Sequence, residues 1–173
     1  MIKTIKMWGL RTLVVAVAGI SGICSAPTDT SADGIFVEGG PGIIQSLTTS
    51  VVLLRYQKDT SPLFGHSSFY EGIYAYWNGE NHAQNVALAR GLRWTLQHDG
   101  YISTALGAGY MDRETENLGT HFEFYIRIAV GKRTDQYDIS LGYIHISNGK
   151  LFMGWEGPDN GENFITLSMG GLF

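Results

Sequence analysis

Cysteine is almost absent from this sequence. Its one representative, Cys24, lies in the first 26 residues, so the rest of the chain has no internal disulfide available to it. A lipid-bearing role for Cys24 is disfavoured by Ile23, a poor residue just before a lipidated cysteine. Basic charge is also scarce. Three of the 12 Lys and Arg (Lys3, Lys6 and Arg11) sit in that opening segment, which has no acid. The remainder carries 9 basic against 16 acidic side chains, a net charge near −7. That balance argues against a nucleic-acid partner. No apolar run is long enough to cross a bilayer as a helix, and no segment after the opening one repeats with helical period. His66, His82, His98 and His121 lack metal-ligand spacing. Gly39-Gly40-Pro41-Gly42 precedes no helix and reads as a tight strand connection, not a phosphate loop.

What is present begins with an export signal. Lys3, Lys6 and Arg11 give the positive start, Leu13 to Ile20 the apolar stretch, and Ser25-Ala26 the small residues at which cleavage is expected. Ala32 is a second place for that cleavage. The mature domain is then 33–173, long enough for one sizeable core.

Period-2 alternation recurs through this domain, broken by Gly, Asn, Asp and Pro. Eight strands are predicted, over 34–41, 44–57, 68–78, 85–97, 100–112, 119–132, 136–148 and 163–173. The sixth is the clearest: Thr120, Phe122, Phe124, Ile126, Ile128 and Val130 share one face, while His121, Glu123, Tyr125, Arg127, Ala129 and Gly131 share the other. A soluble sandwich would bury the first face; an outer-membrane barrel would turn it to lipid and put Glu123 and Arg127, as part of an ion-pair network, in the lumen. Predicted strands of 12 to 14 residues suit a tilted crossing better than a sandwich. Tyr74, Tyr76, Trp77, Trp94, Tyr101 and Tyr110 lie near strand ends, as interfacial girdles would. The last strand alternates to a terminal Phe173, resembling the signature by which outer-membrane barrels are taken up by their assembly machinery. The expected fold is therefore all-β: an eight-stranded antiparallel transmembrane β-barrel in the outer membrane. Arg90 fits poorly, sharing its face with Val86, Leu88, Leu92 and Trp94, and suggests a register break. The 58–67 stretch is long for a periplasmic turn.

The candidate chemistry lies at the end of the seventh strand, in Tyr143-Ile144-His145-Ile146-Ser147-Asn148. His145 and Ser147 leave the same face of a strand about 7 Å apart, and a serine needs a neighbouring base to become a nucleophile. By parity both point toward lipid near the outer leaflet, where polar side chains are costly and therefore functional candidates. A histidine base also wants a third group to orient its ring. Glu156, Asp159, Glu162 and Asn163 follow in sequence.

These residues resemble the PagL family of lipid A 3-O-deacylases. The features that carry the resemblance are His145-x-Ser147-Asn148-Gly149, Pro158-Asp159-Asn160-Gly161-Glu162-Asn163, the final strand and, more weakly, Tyr74-x-Tyr76-Trp77. The resemblance implies an esterase that removes the 3-O-linked 3-hydroxyacyl chain of lipid A, with Ser147 as nucleophile and His145 as general base. Asn148 and Gly149 become candidates for oxyanion stabilisation, and no metal or organic cofactor is implied. The chain departs from the family pattern at the third member. A Glu two residues after the turn glycine is usual; here Asn163 holds that place and Glu162 is one residue early. Strict alternation turns Asn163 outward and Glu162 inward, and a shifted turn would reverse their claims. Phe152, Met153 and Trp155 would either form a shelf for an acyl chain or pack on the barrel top. The competing functions are a non-enzymatic small barrel with a structural or binding role and, less favoured, another lipid A remodelling activity such as acyl transfer.

Overall fold

The computed structural model describes residues 33–173 apart from Glu156; the expected export signal and Cys24 fall outside them. Eight strands form in order: β1 Gly34–Pro41, β2 Ser50–Leu63, β3 His66–Trp77, β4 Ala83–Thr95, β5 Gly100–Met111, β6 Phe122–Arg133, β7 Tyr137–Ser147 and β8 Glu162–Leu172. A 3-10 turn, Ile44–Ser46, follows β1, and a short helix α1, Lys150–Met153, follows β7. Every strand pairs antiparallel with its sequence neighbour, and β1 pairs with β8, closing a barrel.

The register fixes the stagger. Cross-strand partners run from Gly34 through Gln57, Glu71, Ala89, Gly107, Tyr125 and Ile146 to Glu162. On its other side Gly34 faces Leu172. One circuit of the wall therefore descends β8 from Glu162 to Leu172, a shear of ten residues that tilts the strands by about 40°. Long connections (42–49, 78–82, 112–121, 148–161) gather at one end and short turns (64–65, 96–99, 134–136) at the other.

Alternation dictates what faces where. Ile35, Val37, Val52, Leu54, Leu88, Leu106, Val130, Leu141, Leu167 and Met169 form an exposed apolar wall, the polarity of a barrel solvated by lipid. The lumen is packed with charge. Arg55 donates to Glu38 at 2.8 Å and also pairs with Glu71; Arg127 reaches Glu38 at 3.1 Å. Ser168 and Ser140 accept further guanidinium bonds at 3.1 Å. Nearer the short turns, Asp59 sits between Arg93 and Arg133, and Arg133 also bonds Asp138. Buried ions persist only when paired in this way.

Several expectations change. The second strand begins at Ser50, not 44, because 42–49 folds back as a loop in which Gly42 N–H bonds Thr49 O at 2.9 Å. The 58–67 stretch is no long turn: β2 and β3 continue through it to a reversal at Phe64–Gly65, with a bulge between Thr60 and Leu63. Glu123 and Arg127 share the lumen but not an ion pair; Arg127 bonds Glu38 and Glu123 accepts from Thr120 at 3.2 Å. Of the aromatics assigned to girdles, Tyr74, Tyr76 and Tyr110 are exposed on the wall, whereas Trp77, Trp94 and Tyr101 are buried. Trp77 lies on the inward parity of β3, packs against Phe164 with ring centroids 6.2 Å apart and donates its indole N–H to Asn81 O. Arg90 marks no register break, since the ladders on both sides of it are continuous. It points outward and lies over the ring of Tyr70.

Candidate active site

His145 and Ser147 lie near the long-loop end of β7 on its outward face; the intervening Ile146 is buried inside. Register places Asn163 of β8 directly opposite His145, Ile126 of β6 on its other side, and Phe124 beside Ser147. His145 Nδ1 lies 2.9 Å from Asn163 Oδ1. An amide oxygen only accepts, so Nδ1 carries the proton and Nε2 keeps its lone pair. The Tyr143 hydroxyl donates to the same Oδ1 at 2.6 Å, fixing the amide from below.

The ring also has a direction along the wall. A Cβ on Gly161 would come within 2.7 Å of His145 Cε1. Since Ile146 faces Glu162, Gly161 is level with Ser147. The imidazole edge therefore lies beside Gly161, at the level of Ser147. Gly161 has φ of 72°, so both its conformation and its missing side chain make room for the ring.

Glu162 and Asn163 divide as alternation requires. Glu162, fully buried, takes hydrogen bonds inside from the Ser46 hydroxyl and from Asn117 Nδ2, the latter at 2.9 Å. It does not reach the imidazole; the ring's partner on β8 is Asn163. Sequence reasoning missed Ser46, whose Oγ donates to Glu162 and accepts the Asn163 backbone N–H at 3.0 Å. Ile43 N–H bonds the Asn163 carbonyl at 2.8 Å. The first loop thus pins the residue that holds His145. No short sequence pattern joins positions 46 and 163.

The other candidates knit the loop above the site. Asn148, fully buried, donates its backbone N–H to Asp159 Oδ1 at 3.2 Å and its Nδ2 to Pro158 O at 2.9 Å, and its Oδ1 accepts the Lys150 N–H at 3.0 Å. Asp159 is thereby turned to Asn148, not to the imidazole, and pairs as a bridge with Leu118. Glu156 lies outside the described residues. Gly149 sits against the Phe124 ring, which a Cβ there would strike at 2.4 Å. Phe122 meets Phe124 and Trp155 edge-on, with centroids 5.4 and 5.8 Å away. These three rings form an apolar ledge beside Ser147. Among the described residues no cluster of His, Cys, Asp and Glu is arranged to hold a metal.

The family model "Lipid A 3-O-deacylase (PagL)" matches residues 47–171. No curated protein sequence matches the chain. Among solved structures, the crystal structure of the outer-membrane enzyme PagL superposes with a TM-score of 0.64 at 19% identity, covering 79% of this chain and 97% of that one. A de novo designed transmembrane β-barrel gives 0.58 at 12% identity, covering 83% and 96%. The Yersinia pestis outer-membrane protein Ail in a phospholipid nanodisc gives 0.53 at 10%, covering 83% and 99%. The last two share the barrel alone. With the family match extending over most of the sequence, the chain belongs to the PagL family of lipid A 3-O-deacylases and is an ester hydrolase of the outer membrane.

Proposed function

We propose that the chain removes the 3-O-linked 3-hydroxyacyl chain of lipid A in the outer leaflet, with Ser147 as nucleophile, His145 as general base and Asn163 as the positioning residue. The observation that carries this is the Nδ1–Asn163 hydrogen bond. It leaves Nε2, on the strand face shared with Ser147, to take a proton. Long loops outside and short turns in the periplasm are the rule for such barrels, which supports an outer-leaflet position for the pair. An ester of a membrane lipid would there meet a nucleophile on the lipid-facing wall.

Ser147 Oγ attacks the ester carbonyl as its proton passes to His145 Nε2. The tetrahedral oxyanion collapses, the C–O bond to the sugar breaks, and the imidazolium returns the proton to the leaving 3-hydroxyl. Water, deprotonated by the same nitrogen, then hydrolyses the acyl-serine and releases a 3-hydroxy fatty acid. Asn148 and Lys150 have their amide N–H groups engaged with Asp159 and Asn148. The Gly149 N–H is the remaining donor of that stretch for the oxyanion, a role that would strengthen as charge develops. Phe122, Phe124 and Trp155 offer the acyl chain an apolar ledge. Phe173, exposed at the end of the last strand, would serve the barrel-assembly machinery.

Mass spectrometry of lipid A from cells expressing the chain tests the proposal. Wild type should yield lipid A lighter by one 3-hydroxyacyl group. Ser147→Ala should restore the full mass while remaining heat-modifiable on gels. Lipid A unchanged by folded wild-type protein would overturn it.

A further inference from the structure

The outer wall carries a second polar feature, far from Ser147. Lys58 of β2, Tyr70 of β3 and Arg90 of β4 are successive cross-strand partners, all exposed and outward. They continue the row that begins at His145 and passes through Ile126 and Leu106. Each step around a wall tilted about 40° falls by about 3 Å toward the short turns. Tyr70 and Lys58 are thus about 12 and 15 Å below His145, in the opposite leaflet.

Arg90 Nη1 donates to the Tyr70 hydroxyl at 2.8 Å, and its guanidinium lies 4.9 Å from the ring centroid. This contact holds the cation but does not neutralise it. The acids nearby do not cancel the charge. Glu71 is on the inward parity and is bound to Arg55. Asp33, which accepts the Tyr56 hydroxyl at 2.9 Å, offsets one cation of the two and leaves the patch at +1. Directly above lies a groove of about 490 Å³. It exists because Gly72 stands between Tyr56 and Leu88 in the next outward row and puts no side chain there. A net positive charge at the foot of an apolar groove, facing a leaflet, has the complement of a lipid with an acidic headgroup.

We propose that this wall binds one anionic glycerophospholipid of the leaflet opposite the Ser147 site. Its phosphate lies between the Lys58 ammonium and the Arg90 guanidinium, and one acyl chain fills the groove over Gly72. The site is separate from the ester-hydrolysing one and takes no part in its chemistry.

Native mass spectrometry of the purified full-length barrel, released from detergent with phosphatidylglycerol or phosphatidylcholine of identical acyl chains, tests this. Wild type should retain one phosphatidylglycerol in preference to phosphatidylcholine by roughly 5-fold, the scale of one net interfacial cation. Lys58→Gln with Arg90→Gln should abolish the preference. Gly72→Leu should weaken retention of both lipids; a Cβ at Gly72 meets only Leu88 Cδ2, at 4.0 Å, so the backbone accommodates it. Equal retention of the two lipids by wild type, no retention of either, a preference that survives the double variant, or a second copy of the barrel in place of lipid would each overturn the proposal.

Discussion

Asn163 holds His145 from the neighbouring strand: its Oδ1 is 2.9 Å from Nδ1, opposite in the β7–β8 ladder. The ring therefore sits in the Nδ1–H tautomer, its partner an amide and not a carboxylate. A neutral amide orients an imidazole but stabilises the imidazolium less than a charged group would.

Asn163→Ala should lower kcat by about 10²- to 10⁴-fold, since a triad base without its orienting partner loses activity on that scale. Asn163→Asp should retain or raise kcat, by keeping the acceptor and adding charge. Glu162→Gln preserves an oxygen for Ser46 and should stay within about threefold of wild type. Ester hydrolysis by the purified barrel in micelles measures all three. Loss of activity in Glu162→Gln, with Asn163→Ala unaffected, would reverse the assignment.

Tyr143 acts one step further out, through its 2.6 Å bond to Asn163 Oδ1. Tyr143→Phe removes one hydrogen bond worth about 1 kcal/mol. It should lower kcat by about fivefold with KM little changed, because the hydroxyl holds Asn163 and not the substrate. Separate kcat and KM measurements check this, and a pure KM effect would assign Tyr143 to substrate binding instead.

Gly161 leaves the room that the imidazole occupies. Gly161→Ala places a methyl 2.7 Å from His145 Cε1 at a backbone φ of 72°. Displacing the ring by about 1 Å should reduce kcat by about 10²-fold, while the barrel still shifts with heat on gels. Full activity in this variant would mean that the ring does not work from its position over Gly161.

Arg55 stands between Glu38 and Glu71 in the lumen. Arg55→Met leaves Glu71 without its cation and Glu38 with Arg127 alone, and should destabilise the barrel by about 3–5 kcal/mol, the cost of breaking a buried pair. Urea unfolding in lipid vesicles reads this out. A midpoint equal to wild type would show that lumenal water replaces the guanidinium.

The strands and their faces were legible because a barrel wall enforces strict two-residue alternation: one side is lipid and the other a packed lumen. Errors arose where alternation lapses. Ile43-Ile44 and Val51-Val52 give adjacent apolar residues, so the start of β2 could not be separated from the loop that bears Ser46. Trp77 and Tyr101 sit at strand ends, as girdle residues do, but the lumen takes them because their parity is inward; Trp94 keeps the outward parity of Arg90 and is covered by His66, whose ring lies 5.5 Å away. Arg90 was unaccountable along its own strand, since its partner Tyr70 is a neighbour only across the sheet.

Sequence alone determined the barrel, the outward parity of His145 and Ser147, and the opposition of Glu162 and Asn163, all consequences of a two-residue period read along one strand. Tertiary structure decided which of those two residues meets the ring. It also showed that Tyr143 and Ser46 support Asn163, and that Gly161 makes room for the imidazole. These are contacts between strands or between a strand and a loop, set by a ten-residue shear that leaves no trace within any one segment. Register, not composition, completes the site.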